Sequence, residues 1–252
     1  MRSTSLLMDN DGNPLLDYFI RNGEWGIHKV IDYFEVYHRV FQRYRGKPIT
    51  FVEIGIQTGG SARMWQQYFG PQAKIIGIDI DPACKSLADE GFEVWIGDQA
   101  DPAFWQEFLQ VHPQIDIVLD DGGHTMAQQI VSFEALFSAV SNGGLYLCED
   151  TCTSYWPAYG GGLKRPGTFI EYAKELIDQM HAWHYAPVSE LDIPDILARH
   201  LYAVAIYDCI VVLEKRIKNP PVTLARGGLG HVSNPHSLTL LAMRRDAGVP
   251  DE

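Results

Sequence analysis

Short apolar runs alternate with longer amphipathic segments along the chain from about residue 50 onward. Such runs are typical of buried strands, and the segments between them have the apolar spacing of helices that cover a sheet. This order predicts a parallel sheet with crossover helices. The five predicted strands are "TFVEIG" (50–55), "KIIGID" (74–79), "FEVWIG" (92–97), "IDIVLD" (115–120) and "GLYLCE" (144–149).

Residues that often cap helix N-termini stand before four of the amphipathic segments: Ser61, Asp81, Asp101 and Thr125. Proline follows both aspartates, as is common in a first helical turn. A further helix is predicted from about Thr168 to His181, and the β-rich runs 202–208 and 209–215 are joined tightly enough for an antiparallel hairpin. The predicted fold is α/β: a Rossmann-like, doubly wound, seven-stranded, mostly parallel sheet with an antiparallel C-terminal hairpin strand.

The first 49 residues contain an aromatic amphipathic stretch, "IHKVIDYFEVYHRVFQRY". Its apolar positions share one helical face: Val30, Tyr33, Phe34, Tyr37 and Phe41. We interpret residues 1–49 as a helical cap on the sheet, or as a self-association surface that would make the chain a homo-oligomer. Residues 50–218 form the predicted main domain. The tail, residues 219–252, is rich in Pro and Gly and is expected to be irregular.

Composition and charge narrow the partners that the chain can bind. Its 252 residues are 46% hydrophobic, enough for the core of one large domain, and carry a net charge of -12. Without a Lys/Arg-rich run, the chain is predicted to bind no nucleic acid and no membrane, because phosphates need local positive charge. We therefore expect a small-molecule partner. No apolar segment has the length of a membrane span, so we expect a cytoplasmic protein, with its four scattered cysteines reduced.

The ends of the first three predicted strands carry polar residues that suit a nucleoside. Ligands of open parallel sheets bind beyond the carboxyl ends of the strands. Strand one ends in an acid and a glycine-rich turn, strand two in an aspartate placed for ribose hydroxyls, and strand three in an Asp-Gln pair suited to an adenine edge. The turn lacks GxGxxG spacing, which disfavours NAD or FAD. The predicted cofactor-binding residues are Glu53, Gly55, Ser61, Asp79, Asp98 and Gln99.

Acidic residues and a histidine follow predicted strands four and five. Asp121 and His124 lie in "VLDDGGHT", and Glu149 and Asp150 end the fifth strand. Taken alone, each residue has a plausible structural explanation as a helix cap, a loop cap or a solvated side chain. Their joint placement at neighbouring strand ends favours a site, and hard oxygen donors without thiols suit Mg²⁺ or Mn²⁺ better than zinc.

The order of the Glu-x-Gly loop, Ile-Asp, Gly-Asp-Gln and "VLDDGGH" resembles class I S-adenosylmethionine-dependent methyltransferases. More narrowly, "DDGGHTMAQQIVSFEALF" and "GGLYLCEDTCTSYWPAYGGG" resemble the metal-dependent macrolide-sugar (mycinamicin-type) O-methyltransferases. The resemblance spans about residues 26–215. It implies S-adenosylmethionine as the cofactor and Mg²⁺, or Mn²⁺, held by Asp121, Glu149 and Asp150. It also implies that His124 is the general base.

The predicted function is O-methylation of a sugar or glycosylated small molecule. The alternatives are an O-methyltransferase of a catechol or other vicinal diol and a non-catalytic nucleoside-binding module. An iron hydroxylase is disfavoured because the strand ends lack a second histidine. Tyr155, Trp156 and Tyr159 lie in a segment, 153–162, that is expected to be either a mobile loop closing over the acceptor or a packed aromatic loop. The related macrolide-sugar enzymes carry an extra N-terminal domain, so acceptor contacts made by that domain cannot be transferred to this chain.

Overall fold

Seven strands form one sheet in the part of the chain that the computed structural model describes, residues 12–184 and 195–219. In chain order they are β1 (Thr50–Ile54), β2 (Lys74–Asp79), β3 (Glu93–Ile96), β4 (Ile115–Asp120), β5 (Val140–Cys148), β6 (Leu201–Tyr207) and β7 (Ile210–Lys215). Their order across the sheet is β3-β2-β1-β4-β5-β7-β6. Neighbouring strands are parallel except at β5–β7 and β7–β6, which confirms the predicted mostly parallel sheet with a C-terminal hairpin.

Helices cover both faces of the sheet, because alternate strand residues point to opposite sides. The α-helices of the described residues are α1 (Pro14–Arg21), α2 (Tyr33–Phe41), α3 (Gly60–Phe69), α4 (Pro102–Val111), α5 (Met126–Leu136), α6 (Phe169–Met180) and α7 (Asp195–His200). Phe51 of β1 packs in one core with α1, α2 and α3, and Val52 packs in the other with α4, α5 and α6. Trp65 and Trp105 are fully buried in these cores, as predicted. The doubly wound arrangement is confirmed.

The predicted helix starts are mostly correct, with one exception. The side chains of Asp101 and Thr125 accept backbone hydrogen bonds at the N-termini of α4 and α5. Asp81 caps the segment Pro82–Glu90 in the same way, although that segment is a 3₁₀ helix. Ser61 is not a cap. The N-terminal residue of α3 is Gly60, preceded by Gly59 in the left-handed conformation, so Ser61 lies inside the helix.

The amphipathic N-terminal stretch is helical only from Tyr33 onward. Its predicted apolar face is otherwise correct, but Val30 precedes the helix and its side chain is 47% exposed. Apart from Asn219, the predicted tail lies outside the described residues. The division into cap, main domain and tail stays a prediction. None of the described helices combines the length and apolarity needed to cross a membrane.

Candidate active site

The carboxyl ends of the parallel strands line a cleft of about 180 Å³ at one edge of the sheet. The cleft is lined by four of the predicted cofactor residues together with the first predicted metal ligand: Gly55, Asp79, Asp98, Gln99 and Asp121. Glu53 and Ser61 do not line it. A wider depression of about 750 Å³ beside α1 contains none of these residues, so we assign the chemistry to the cleft.

Gly55 brings the turns after β1 and β4 into direct contact. Its φ of +87° favours glycine, and a Cβ placed on it would lie 2.1 Å from the carbonyl oxygen of Asp121. The Gly55 N–H donates to the carbonyl of Ile78 at 2.7 Å. The glycine therefore couples the floor of the cleft to the position of Asp121.

Glu53 lies beneath the cleft rather than in it. Its buried carboxylate accepts hydrogen bonds from the Ser61 hydroxyl at 2.9 Å and the Trp65 indole N–H at 3.0 Å. Burial raises the pKa of Glu53 to about 7, although Lys29 and these donors oppose the shift. In the structure the Glu53–Ser61 pair anchors α3 to β1, and cofactor binding by these two residues stays a prediction.

Asp79 and Asp98 are the carboxylates that the cleft presents to a ligand. Asp79 is partly exposed and accepts the backbone N–H groups of Gln57 and Asp81, each at 2.9 Å. Asp98 is exposed and accepts the N–H of Ala100 at 2.8 Å. A carboxylate has about four acceptor sites, so both residues keep lone pairs for ligand hydroxyl or amino groups.

Gln99 is buried, and its side-chain amide is engaged within the protein at both ends. The nitrogen donates to Asp120 at 2.9 Å and to Ser132 at 3.0 Å, and the oxygen accepts the N–H of Gly123 at 2.8 Å. In the structure, Gln99 therefore fixes the loop after β4. The predicted contact of its amide with an adenine edge would require these bonds to be exchanged.

Three predicted site residues converge beside the cleft. Asp121, His124 and Asp150 each offer one ligand atom, and these atoms lie within 4.8 Å of one another. The His124 Nε2 atom is 3.4 Å from Asp150 Oδ2 and 3.9 Å from Asp121 Oδ1. His124 and Asp150 both adopt left-handed backbone conformations, with φ of 58° and 50°. Strain of this kind in non-glycine residues is common at functional sites.

Glu149, the remaining predicted metal ligand, is buried and held by residues from the N-terminal segment. It accepts hydrogen bonds from the Lys29 ammonium at 2.9 and 3.1 Å and from the Tyr37 hydroxyl. Lys29 also donates to Asp121. Burial, together with the negative charge of Asp121, raises the pKa of Glu149 well above its usual range. Burial alone would lower the pKa of Lys29, but Asp121 and Glu149 raise it, so the amine stays a cation.

The sequence interpretation missed Lys29 and assigned Tyr33 and Tyr37 only to the apolar face of the N-terminal stretch. The Tyr33 hydroxyl donates to Asp150 at 2.5 Å, so all three residues bind strand-end carboxylates. Their sequence spacing of four residues is itself a signal. A lysine and two tyrosines at intervals of four residues along an apolar stretch predict polar partners for their buried end groups.

The side chains at the end of β4 and β5 fit a hard dication. Carboxylate oxygens are the ligands that Mg²⁺ and Mn²⁺ prefer, and no cysteine belongs to the described cluster. The buried Nδ1 atom of His124 has no hydrogen-bond partner within the described residues. Its carbonyl accepts the Thr153 hydroxyl at 2.9 Å. Beyond Thr153, Tyr155 and Trp156 are about half exposed, and the predicted mobility of this loop stays a prediction.

No protein-family model matches the chain. Over 190 residues the chain is 36% identical to the 8-demethyl-8-(2-methoxy-alpha-L-rhamnosyl)-tetracenomycin-C 3'-O-methyltransferase of Streptomyces olivaceus, an alignment that covers 71% of this chain and 48% of that protein. It is 35% identical over 190 residues to the mycinamicin VI 2''-O-methyltransferase of Micromonospora griseorubida, which covers 71% of this chain and 47% of that protein. The chain therefore spans about half the length of the curated relatives it matches.

A solved structure of the MycE methyltransferase from the mycinamycin biosynthetic pathway, in complex with Mg and SAH, is similar to this chain with a TM-score of 0.71 and 29% identity. The alignment covers 92% of this chain and 59% of that one. This likeness confirms the predicted Rossmann-like fold. By name, the relatives are O-methyltransferases of a rhamnosyl-tetracenomycin and of mycinamicin VI, so the comparisons do not favour the catechol or nucleoside-binding alternatives.

Proposed function

Because the chain is 35–36% identical to two sugar O-methyltransferases over about half of their length, we propose that it is an S-adenosylmethionine-dependent O-methyltransferase that methylates a hydroxyl of a sugar or glycosylated small molecule. The supporting observation is the convergence of Asp121, His124 and Asp150 beside the strand-end cleft. Methyl transfer to oxygen requires the cofactor, the acceptor hydroxyl and a base to meet at one point. The cleft and the adjoining cluster provide neighbouring places for all three.

The cleft is the proposed site of S-adenosylmethionine. Asp79 keeps acceptor sites for the ribose hydroxyls after binding two backbone N–H groups, and Asp98 stands exposed at the same edge for the adenine. Gly55 lines the cleft along the turn after β1. Gln99 contributes by fixing the wall of the cleft, which keeps the adjoining turn in one position.

Asp121, Glu149 and Asp150 are the proposed ligands of Mg²⁺ or Mn²⁺. When bound, the metal lowers the pKa of the acceptor hydroxyl and stabilises the negative charge that develops on its oxygen. Asp121 and Asp150 already face the partly exposed side of the cluster, and the Tyr33 hydroxyl orients Asp150. Glu149 can join them by exchanging part of its contact with Lys29.

His124 is the proposed general base. Its Nε2 atom takes the proton of the acceptor hydroxyl, while the hydroxyl oxygen attacks the methyl carbon of the sulfonium. The bound cofactor would supply this methyl group, and its sulfur would take the electron pair of the carbon–sulfur bond that breaks. The carboxylates of Asp150 and Asp121 lie 3.4 and 3.9 Å from this Nε2 atom. The exposed rings of Tyr155 and Trp156 are the proposed contact for the apolar part of the acceptor.

The test combines binding and turnover with an aromatic α-L-rhamnoside as acceptor. We expect S-adenosylhomocysteine to bind the wild type and Asp150→Ala equally in isothermal titration, and Asp79→Ala at least about tenfold more weakly. EDTA should abolish methyl transfer, Mg²⁺ should restore it, and Asp150→Ala should be inactive. Asp89→Ala, at an exposed position, is the control. Activity that survives chelation would exclude the metal, and binding that is indifferent to Asp79 would exclude the cofactor site.

A further inference from the structure

Lys29 is a buried cation in the middle of the acidic cluster. Its side chain is 2% exposed, and its ammonium donates to both oxygens of Glu149 and to Asp121. The buried carboxyl of Glu53 is a further acidic neighbour. A buried ammonium is stable only when it is paired, and this one is paired with two of the three carboxylates proposed to hold the metal.

The position of Lys29 has opposite consequences for the metal-free and the metal-bound site. Without a metal, Asp121 and Glu149 would repel each other in a buried environment, and the ammonium offsets that repulsion. A metal bound by Asp121 and Glu149 would compete with the ammonium for the same carboxylate oxygens. The positive charges of the ammonium and the metal would then repel each other strongly, because water is excluded from the site.

We propose, on the basis of the metal site of the proposed function, that Lys29 is a resident counter-ion. Its ammonium holds Asp121 and Glu149 together in the metal-free protein. The same positive charge lowers the affinity of the site for the metal. Lys29 is thus a positioning residue, contributed by the N-terminal segment between α1 and α2. The same pairing compensates for the complete burial of the Glu149 carboxylate.

The experiment compares Mg²⁺ binding by the wild type, Lys29→Met and Lys29→Arg, using isothermal titration with Mg²⁺ alone and melting temperatures with and without Mg²⁺. Methionine keeps the length of the side chain without its charge, and arginine keeps the charge. The matched control is Lys215→Met. Lys215 is also buried and donates to the Ser138 carbonyl, but the pairing of Glu214 with Leu145 places it toward the opposite end of β5 from Glu149.

We expect Lys29→Met to bind Mg²⁺ about tenfold more tightly than the wild type, and to gain a larger rise in melting temperature from it. Its metal-free form should melt at a lower temperature than the metal-free wild type. Lys29→Arg and Lys215→Met should bind Mg²⁺ as the wild type does. If Lys29→Met does not fold alone, its recovery by Mg²⁺ supports the proposal.

Equal or weaker Mg²⁺ binding by a folded Lys29→Met overturns the proposal, as does failure of Mg²⁺ to recover an unfolded one. These outcomes leave the metal site intact, provided that the wild type binds Mg²⁺ and Asp150→Ala does not. Absence of Mg²⁺ binding in both the wild type and Lys29→Met overturns the metal site itself, and the counter-ion role with it. The two failures are therefore distinguishable.

Discussion

The cofactor side of the candidate site, at the ends of β1, β2 and β3, differs in construction from the metal side, at the ends of β4 and β5. On the cofactor side the ligand groups are fixed by nearby backbone. Asp79, for example, accepts the N–H of Asp81, two residues away. On the metal side they are fixed by distant side chains, since Lys29 and Glu149 are 120 residues apart in sequence and Tyr33 and Asp150 are 117 apart.

Because of this difference, the two sides depend on different parts of the chain. The cofactor side requires turns that allow a close backbone approach, and local sequence encodes such turns. The metal side requires the N-terminal segment to be docked, because Lys29, Tyr33 and Tyr37 supply partners for its carboxylates. A substitution on one side should therefore leave ligand binding on the other side unchanged, except where the two sides are in contact.

The largest expected effect tests the metal side alone. His124→Ala should lower kcat by roughly 10²- to 10⁴-fold, the usual contribution of a general base. Affinity for S-adenosylhomocysteine should stay unchanged, because His124 does not line the cleft. Single-turnover methyl transfer and isothermal titration measure the two quantities. His181→Ala, at an exposed histidine, is the control. Full activity of His124→Ala would contradict the role of general base and show that His124 is only a loop residue.

The second-largest expected effect is a loss of stability on substitution of Gly55, where the turns of the two sides are in contact. Gly55→Ala should lower the free energy of unfolding by about 3 kcal/mol or more, because it combines left-handed strain with a backbone clash. Gly91→Ala is a matched control, since Gly91 has φ of +93° but no atom within 4 Å of an added Cβ. It should cost only the strain, about 1 kcal/mol.

Urea denaturation measures both glycine variants. Gly55→Ala should also weaken the binding of S-adenosylhomocysteine and of Mg²⁺ together, since its Cβ would displace the Asp121 carbonyl. Equal losses of stability in the two variants would show that the turn after β1 relaxes away from Asp121. In that case the two sides would be independent.

The same difference explains which features the sequence could predict. The sheet, its hairpin and the strand-end acids follow from apolar periodicity and from the meeting of parallel strand ends at one edge. The inward roles of Gln99 and Glu53 could not be predicted, because a polar residue at a strand end gives no sign of whether it faces a ligand or the core. Lys29 was missed because its partners are more than 90 residues away in the chain.

Acid is expected to act in opposite directions on two carboxyl groups of the sheet, Glu93 at the start of β3 and Asp120 at the end of β4. On β3, partial burial opposes ionisation of Glu93, but hydrogen bonds from Lys74 and Trp95 and the contact with His112 lower its pKa from 4.5 to about 2. On β4, burial raises the pKa of Asp120 from 3.8 to about 6, although hydrogen bonds from protein donors oppose the shift. Protonation therefore destabilises the fold at Glu93 and favours it at Asp120.

The smallest expected effect is that of Glu93→Gln. The lowered pKa means that Glu93 stabilises the fold fully above about pH 4.5, and that this contribution is lost as the pH falls toward about 2. Because the side chain is about one-third exposed, we expect a loss of only about 1 kcal/mol in the free energy of unfolding at neutral pH.

Urea denaturation at several pH values measures this loss. The difference in unfolding free energy between wild type and Glu93→Gln should shrink in acid. Glu35→Gln, which breaks an exposed pair with Arg39, should change little at any pH. A difference for Glu93→Gln that stays constant from neutral pH into acid would show that Glu93 contributes through packing and not through its charge.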